Sequence, residues 1–349
     1  MTAASSAVRH RVVVTQRFFD AATRDHLQAH GCEVVEAELP PGQADADLDE
    51  PRLRELLDGA AGWIVGHARV TDTLLAGLPH LRVIARRGVG YERVDLAAVR
   101  RHGMVATIAA GGNDACVADH ALALMLAVSR RLREGQRRLE ADSWAIPLGN
   151  DLYRKTVGVV GLGRIGRGVV QRLRGFECRI LVHSPHVDAG WAEAQGVEAV
   201  PMDALLAQSD VVTLHAPLTT ETRFLIDAPA IARMQPSAIL VNTARGGLVE
   251  DRHLLQALEA GRLQGAGLDV FVSEADAGYA DVTRALVARA DVVASPHAGA
   301  STHEGLNRTN RIAAECVLAV LQDRSPPAAC LIADGRAAAG TPLTTRRQA

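Results

Sequence analysis

The sequence predicts an α/β protein built from two doubly wound parallel sheets. Its 349 residues are enough for about two domains of ~100–200 residues each. Short apolar runs alternate with helical patterns, the rhythm of parallel βαβ units with helices on both sheet faces. That alternation occurs twice, on either side of an irregular stretch near residue 150.

Arg11 to Thr15 (RVVVT) opens the first block as a short buried strand, and a helical stretch follows to about His30. Further strands are expected at Cys32–Val35, Gly62–Val65, Leu81–Ala85 and Met104–Ala106. A long helix is expected from about Ala115 to Glu140, apolar first and Arg-rich later. Asp142–Tyr153 has no clear period and carries Trp144, Pro147 and Gly149, so it reads as a loop or arm. The second block has strand candidates at Val157–Val160, Arg179–Val182, Val211–Leu214, Ile239–Val241, Gly267–Val270 and Val292–Ala294. Together they make one complete doubly wound sheet. A last helix spans Glu304–Leu321, and the Pro-, Ala- and Thr-rich residues from Ser325 onward read as a frayed tail.

Composition removes several classes of function. The chain is 48% hydrophobic and 22% charged, which fits a folded globular protein. Its net charge of −2 gives no electrostatic footprint for nucleic acid. Lys155 is the single lysine, so no G-K-[ST] phosphate loop exists and Schiff-base chemistry would rest on that residue alone. The five cysteines are scattered without a C-x-x-C pair, so neither structural zinc nor a disulfide framework is expected; no metal site is assigned. The longest apolar run, Ala121–Val128, is far below a membrane span, and residues 1–10 lack a signal peptide's apolar stretch. A cytoplasmic protein is expected, with no membrane partner.

The sharpest motif is Gly161-Leu162-Gly163-Arg164-Ile165-Gly166, between the strand Thr156–Val160 and a helix running to about Gly175. G-x-G-x-x-G alone is weak, but this context gives each glycine a task. The first permits a tight turn, the second lets backbone approach a pyrophosphate, and the third lets helix and strand pack closely. Amides at the helix start, including those of Arg164 and Ile165, would hold phosphates. A dinucleotide is therefore the expected cofactor. NAD-selective sheets place a carboxylate roughly 20 residues further on, for the ribose 2′-hydroxyl. Ser184 stands there, 23 residues after Gly161, and is neutral. NADP is thus permitted beside NAD, with Ser184 and His186 as candidate contacts.

Three more side chains follow strand C-termini, the edge where open α/β sheets bind ligands. They are Arg245 in Val241-Asn242-Thr243-Ala244-Arg245-Gly246-Gly247, Glu274 after Leu268-Asp269-Val270, and His297 in Ser295-Pro296-His297. Each alone would pass for a solvated loop residue. On one edge of one dinucleotide-binding sheet they read as a reacting set.

These segments, with Gly88-Val89-Gly90-Tyr91, Gly112-Asn113, Val117-Ala118-Asp119-His120 and Leu214-His215-Ala216-Pro217-Leu218, occur in an order that resembles the D-isomer-specific 2-hydroxyacid dehydrogenases. The resemblance covers about Arg11 to Leu321. It implies a central Rossmann nucleotide-binding domain inserted in a split flavodoxin-like substrate domain. The expected boundaries are 1–110 for the first outer segment, 111–298 for the NAD(P)-binding domain, 299–330 for the returning outer segment and 331–349 for a flexible tail. It also implies that His297 is the general acid/base, Glu274 its hydrogen-bond partner, and Arg245 the anchor of the substrate carboxylate. Backbone N–H groups of Val89 and Gly90 would hold the same carboxylate. Asp269 would bond the nicotinamide amide, His215 and Pro217 would line the cofactor pocket, and Thr243 joins the cofactor contacts.

The chemistry needs these residue types. Hydride reaches C2 of a 2-oxo acid, negative charge builds on the carbonyl oxygen, and a histidine donates a proton there near neutral pH. A neighbouring carboxylate favours the charged imidazole. A planar, permanently charged guanidinium suits a bidentate grip on a carboxylate. The sequence departs from the family pattern at Ala275, where proline usually follows the glutamate, in the long stretch Asp276–Asp291, at Glu92-Arg93 and at Ala110.

The expected substrate is a small 2-oxo acid such as glyoxylate or hydroxypyruvate. Arg86 and Arg87 precede the Val89-Gly90 loop and could grip a second anionic group; the alternative is that both are solvated. Phosphoglycerate dehydrogenase is an alternative, although its relatives' upstream arginine gives way here to Gly66-His67-Ala68-Arg69. With the sequence ending near residue 349, serine feedback through an extra regulatory domain is not expected. Phosphite dehydrogenase keeps the same three residues. Formate dehydrogenase would carry glutamine in place of Glu274. The rival of another class is an NAD(H)-sensing, corepressor-like binding protein. A homodimer is expected through the helix starting near Ala115 and the arm Asp142–Tyr153, whose Trp144, Ile146 and Leu148 need burial.

Overall fold

The computed structural model describes residues 10–40 and 42–336. Along the chain the strands are β1 (His10–Val14), β2 (Cys32–Glu36), β3 (Gly62–Val65), β4 (Val83–Arg86), β5 (Val105–Ile108) and β6 (Thr156–Val160). They continue as β7 (Arg179–His183), β8 (Glu198–Ala199), β9 (Val211–Leu214), β10 (Ile239–Asn242), β11 (Gly265–Leu268), β12 (Val292–Ala294) and β13 (Leu331–Asp334). Two compact units result. One joins the residues up to Asn113 with those from Thr302 on, and the other runs Asp114–Ser301.

In the first unit the strand order is β13-β5-β4-β3-β1-β2, parallel except for β13, which runs antiparallel to β5. β3 (GWIV) is buried at every position, as a parallel strand covered on both faces must be. One face packs Leu53, Leu57, Trp63, Leu74 and Ile84; the other packs Ile64 and Val83 against Val317 and Leu321 of the helix His303–Leu321. Leu331–Asp334 lies in the stretch expected to be a flexible tail. It pairs with β5 instead, because Ala333 is buried against the sheet and its backbone completes a ladder; 337–349 fall outside the described residues.

The second unit orders its strands β12-β11-β10-β9-β6-β7-β8, all parallel. The chain reverses direction across the sheet between β6 and β9, the switch point at which such sheets bind ligands. The six expected strands form, although β11 begins and ends two residues before the expected Gly267–Val270, and β8 adds a short seventh whose two residues are both exposed, so no apolar run announces it. The long expected helix is two helices, Asp114–Ser129 and Leu132–Glu140. Arg131 adopts a left-handed φ of 50° between them, where the apolar, buried helix gives way to one without a buried residue. In the irregular arm that follows, Trp144, Ile146 and Leu148 are about 86% exposed. Among the described residues no helix is long and apolar enough to cross a membrane.

Candidate active site at one sheet edge

The glycine loop joins β6 to the helix Arg164–Leu173. Gly161 has φ +93°, and a Cβ there would stand 2.6 Å from the Ala216 nitrogen and the His215 carbonyl carbon, so the turn admits only glycine. A Cβ on Gly166 would lie 2.1 Å from the Gly161 oxygen, which ties helix to strand. Gly163 faces open space and caps the helix. The amides of Arg164 and Ile165 open that helix and have no intrahelical partner. The loop therefore has the approach side, the dipole and the donors that a pyrophosphate requires.

Two polar groups at the neighbouring strand ends await partners. His215 follows β9; its Nε2 contacts Thr213 Oγ1 at 2.9 Å, while its Nδ1 is buried without a partner. Burial pushes its pKa down to about 4, so the ring is neutral at physiological pH. Thr243, after β10, also buries an unpartnered hydroxyl. Pro217 is exposed two residues beyond His215. Ser184, half-buried, and His186, exposed, follow β7, and no carboxylate occupies positions 184–187. These residues fit a dinucleotide along the β6–β9 switch point.

The candidate side chains follow the three neighbouring strands β10, β11 and β12. Asn242, Leu268 and Ala294 pair in register across the sheet. Arg245 and His297 each lie three residues past that line, and Asp269 one past it. Asn242 shapes the arginine loop: its Nδ2 donates to the Arg245 oxygen at 2.8 Å and its Oδ1 accepts from the Ala244 amide at 3.1 Å. Arg245 is half-buried and its Nη1 donates to the Ala244 oxygen at 2.7 Å.

His297 and Glu274 form a direct pair, with Nδ1 to Oε2 at 2.6 Å. Glu274 ends the single 3-10 turn Val272–Glu274, and its Oε1 accepts from the Phe271 amide at 2.8 Å, which fixes the carboxylate's orientation. Alanine at 275 leaves this turn intact, so the missing proline does not displace the glutamate. His297 itself has φ +52°, an uncommon conformation for a non-glycine residue and one found at over-determined functional sites.

Asp269 provides the over-determination. Its Oδ1 accepts from Ser295 Oγ at 2.6 Å and the Ala298 amide at 2.7 Å, and its Oδ2 from the Gly299 amide at 2.9 Å. His120 Nε2 joins Ser295 Oγ at 2.8 Å. Burial opposes ionisation of Asp269, but the bonds from His120, Ser295, Gly299 and Ala298 outweigh it and hold the carboxyl below its ordinary range. Asp269 thus braces both sides of His297, whose own amide donates to the Asp269 oxygen at 2.8 Å. Gly299 is glycine because a Cβ would press on Asp269 Oδ2 at 2.9 Å. Asn242, Ser295 and the bracing bonds of His120 escaped the sequence reading, since only the folded loops bring them together.

Val89 and Gly90 belong to the other unit, in the loop after β4. Gly88 opens it with φ +150°, and the Ala109 amide donates to the Gly88 oxygen at 2.9 Å. Arg86 and Arg87 are half-buried, not freely solvated. Nε and Nη1 of Arg87 are buried without a partner, and its pKa falls to about 10 through burial and the nearby Arg86 charge, partly offset by Asp45.

Comparison with known proteins identifies the family. The model for the D-isomer specific 2-hydroxyacid dehydrogenase NAD binding domain matches residues 122–299. D-3-phosphoglycerate dehydrogenase of Mycobacterium tuberculosis is 38% identical over 290 residues, 82% of this chain and 54% of that one. Glyoxylate reductase of Korarchaeum cryptofilum is 38% identical over 255 residues, 71% of this chain and 76% of its own length. The crystal structure of TT0316 protein from Thermus thermophilus superposes with a TM-score of 0.80 at 34% identity, covering 92% of this chain and 99% of that one. The chain belongs to the D-isomer specific 2-hydroxyacid dehydrogenase family. It spans about half the length of the phosphoglycerate dehydrogenases it matches.

Proposed function

We propose that the protein is an NAD(P)-dependent oxidoreductase that interconverts a small 2-oxo acid and its D-2-hydroxy acid. The observation that carries this reading is the 2.6 Å pair of His297 and Glu274, which stands one strand from Arg245 on the sheet that also bears the glycine loop. When bound, the reduced dinucleotide supplies the hydride. Arg245 fixes the substrate carboxylate and draws electron density toward the carbonyl oxygen.

With Nδ1 engaged by Glu274, Nε2 is the nitrogen that delivers the proton to the developing alkoxide. Glu274 holds the ring's orientation through that bond. In the oxidative direction the neutral imidazole takes the proton back. Asp269, already fixed to the His297 loop, keeps one acceptor position on Oδ2 for the nicotinamide amide.

Ser184 supports use of NADPH beside NADH, because no carboxylate stands there to repel a 2′-phosphate. A Michaelis constant for NADPH tenfold above that for NADH would remove any NADPH preference. The exposed Trp144, Ile146 and Leu148 support a homodimer built through the arm; a monomeric mass at micromolar concentration would contradict it.

The direct test is the initial rate of NADH and NADPH oxidation with glyoxylate, hydroxypyruvate, pyruvate, phenylpyruvate and phosphohydroxypyruvate. Rapid turnover of one acid supports the reading and names its substrate. No turnover of any, with dinucleotide still bound, would favour phosphite oxidation or dinucleotide sensing.

A further inference from the structure

A second carboxyl group is tied to the turn that ends in Glu274. Asp251 opens the helix Asp251–Glu259 and is 1% exposed. Its Oδ2 accepts from the Val272 amide at 2.9 Å. Val272 is the first residue of the 3-10 turn whose last residue is Glu274. The same peptide meets the arginine loop, since a Cβ on Gly246 would stand 2.2 Å from the Phe271 carbonyl and 2.7 Å from the Val272 nitrogen. One buried hydrogen bond thus ties the helix to the place where the loops of Arg245 and Glu274 touch.

We propose that Asp251 is a positioning residue for the acid/base pair, holding the Glu274 turn through the Val272 amide and adding its charge to that of Glu274.

The electrostatic surroundings support the second half of this role. Burial pushes the Asp251 pKa up to about 7; the Val272 bond opposes the rise, and the charges of Glu250 and Glu274 add to it. Glu250 is itself engaged by the Tyr279 hydroxyl at 2.5 Å and the His253 amide at 2.8 Å, with the Arg252 guanidinium 3.8 Å away. Both of these neighbouring charges, Glu250 and Glu274, are negative, and the Asp251 carboxyl holds its proton to about pH 7. The charge that appears there as pH rises adds to that of Glu274, the partner of His297.

The proposal rests on His297–Glu274 being the acid/base pair, and the test separates the two. Asp251→Asn keeps an acceptor for the Val272 amide and removes the charge. The expected result is a kcat for 2-oxo acid reduction near wild type at pH 6, with the alkaline limb of the pH profile displaced downward by ~0.5 unit. Asp251→Leu also removes the acceptor and is expected to lower kcat by ~10-fold at every pH with little change in KM. The ring resonances of His297, assigned by their loss in His297→Ala, read the same displacement in Asp251→Asn without any turnover.

A pH profile and a ring titration of Asp251→Asn that superimpose on wild type would overturn the charge role. Wild-type kcat in a folded Asp251→Leu would overturn the positioning role. Should His297→Ala retain turnover, the acid/base reading itself fails. An inactive His297→Ala beside an unshifted Asp251→Asn refutes only the role of Asp251.

Discussion

Asp269 and Asp251 are each 1% exposed and each serve a loop of the same reacting set, yet their surroundings act on them in opposite directions. Around Asp269, two amides and the Ser295 hydroxyl point at the carboxylate, with His120 beside them, and the carboxyl is held below its ordinary range. Around Asp251 a single amide points inward, two further carboxylates stand nearby, and the proton is retained to about pH 7. Both side chains are buried; the donors and the neighbouring charges decide the outcome. One region holds its carboxyl below the ordinary range, and the other holds a proton to about pH 7.

The largest effect should come from breaking the well-supplied side. Asp269→Asn puts an NH2 group where hydroxyl and amide donors converge, and is expected to cost about 3 kcal/mol of stability and at least ~10²-fold in turnover. Thermal unfolding with steady-state rates checks both. Stability and turnover near wild type would mean that the His297 loop holds its conformation without Asp269.

The poorly supplied side should respond in the other direction. The folded chain keeps a proton on Asp251 to about pH 7, whereas the unfolded chain releases it near the ordinary value of 3.8. Folding stability therefore falls as pH rises between those values, because the native state is the one that binds the proton more tightly. Asp251→Asn removes that loss. It should leave the melting temperature nearly unchanged at pH 4 and raise it at pH 8, by on the order of 2 kcal/mol in stability. A variant destabilised equally at both pH values would erase the distinction between the two carboxylates.

The smallest effect sharpens the comparison. Ser295→Ala removes one of the donors of Asp269 and leaves its amides in place. It is expected to cost about 1 kcal/mol and to move the acid unfolding limb to slightly higher pH, since the Asp269 charge becomes easier to neutralise. An unmoved acid limb would show that the amides alone hold the charge.

Much of this architecture is legible in the sequence, for physical reasons that differ from place to place. The strands of the second unit are buried on both faces, so they stand out as runs such as Thr156–Val160 and Val211–Leu214. The glycine loop is readable because Gly161 and Gly166 sit where no side chain fits. Glu198–Ala199 lies exposed at a sheet edge, and Leu331–Asp334 finds its partner more than 220 residues away, so neither leaves a strong local pattern. The break at Arg131 is a change of environment between two helical segments and interrupts no helical composition.

At the site, Arg245, Glu274 and His297 could be named because each follows a strand in a distinctive segment. The residues that position them could not. Asn242 reads as the end of a strand, Ser295 as a turn residue before proline, and Asp251 as an acidic residue in the first turn of a helix, where such residues are ordinary. Their roles come from hydrogen bonds that span 21 to 175 residues of sequence, or, for Asn242, from the loop it closes on itself.

In the proposed dinucleotide-dependent reduction of a 2-oxo acid, His297 delivers the proton. The most direct measurement is the turnover of His297→Ala with the acid the wild-type protein reduces fastest, alongside the dissociation constant for the reduced dinucleotide. A fall of at least ~10²-fold in kcat with dinucleotide affinity unchanged is the predicted result. Turnover within twofold of wild type would contradict it.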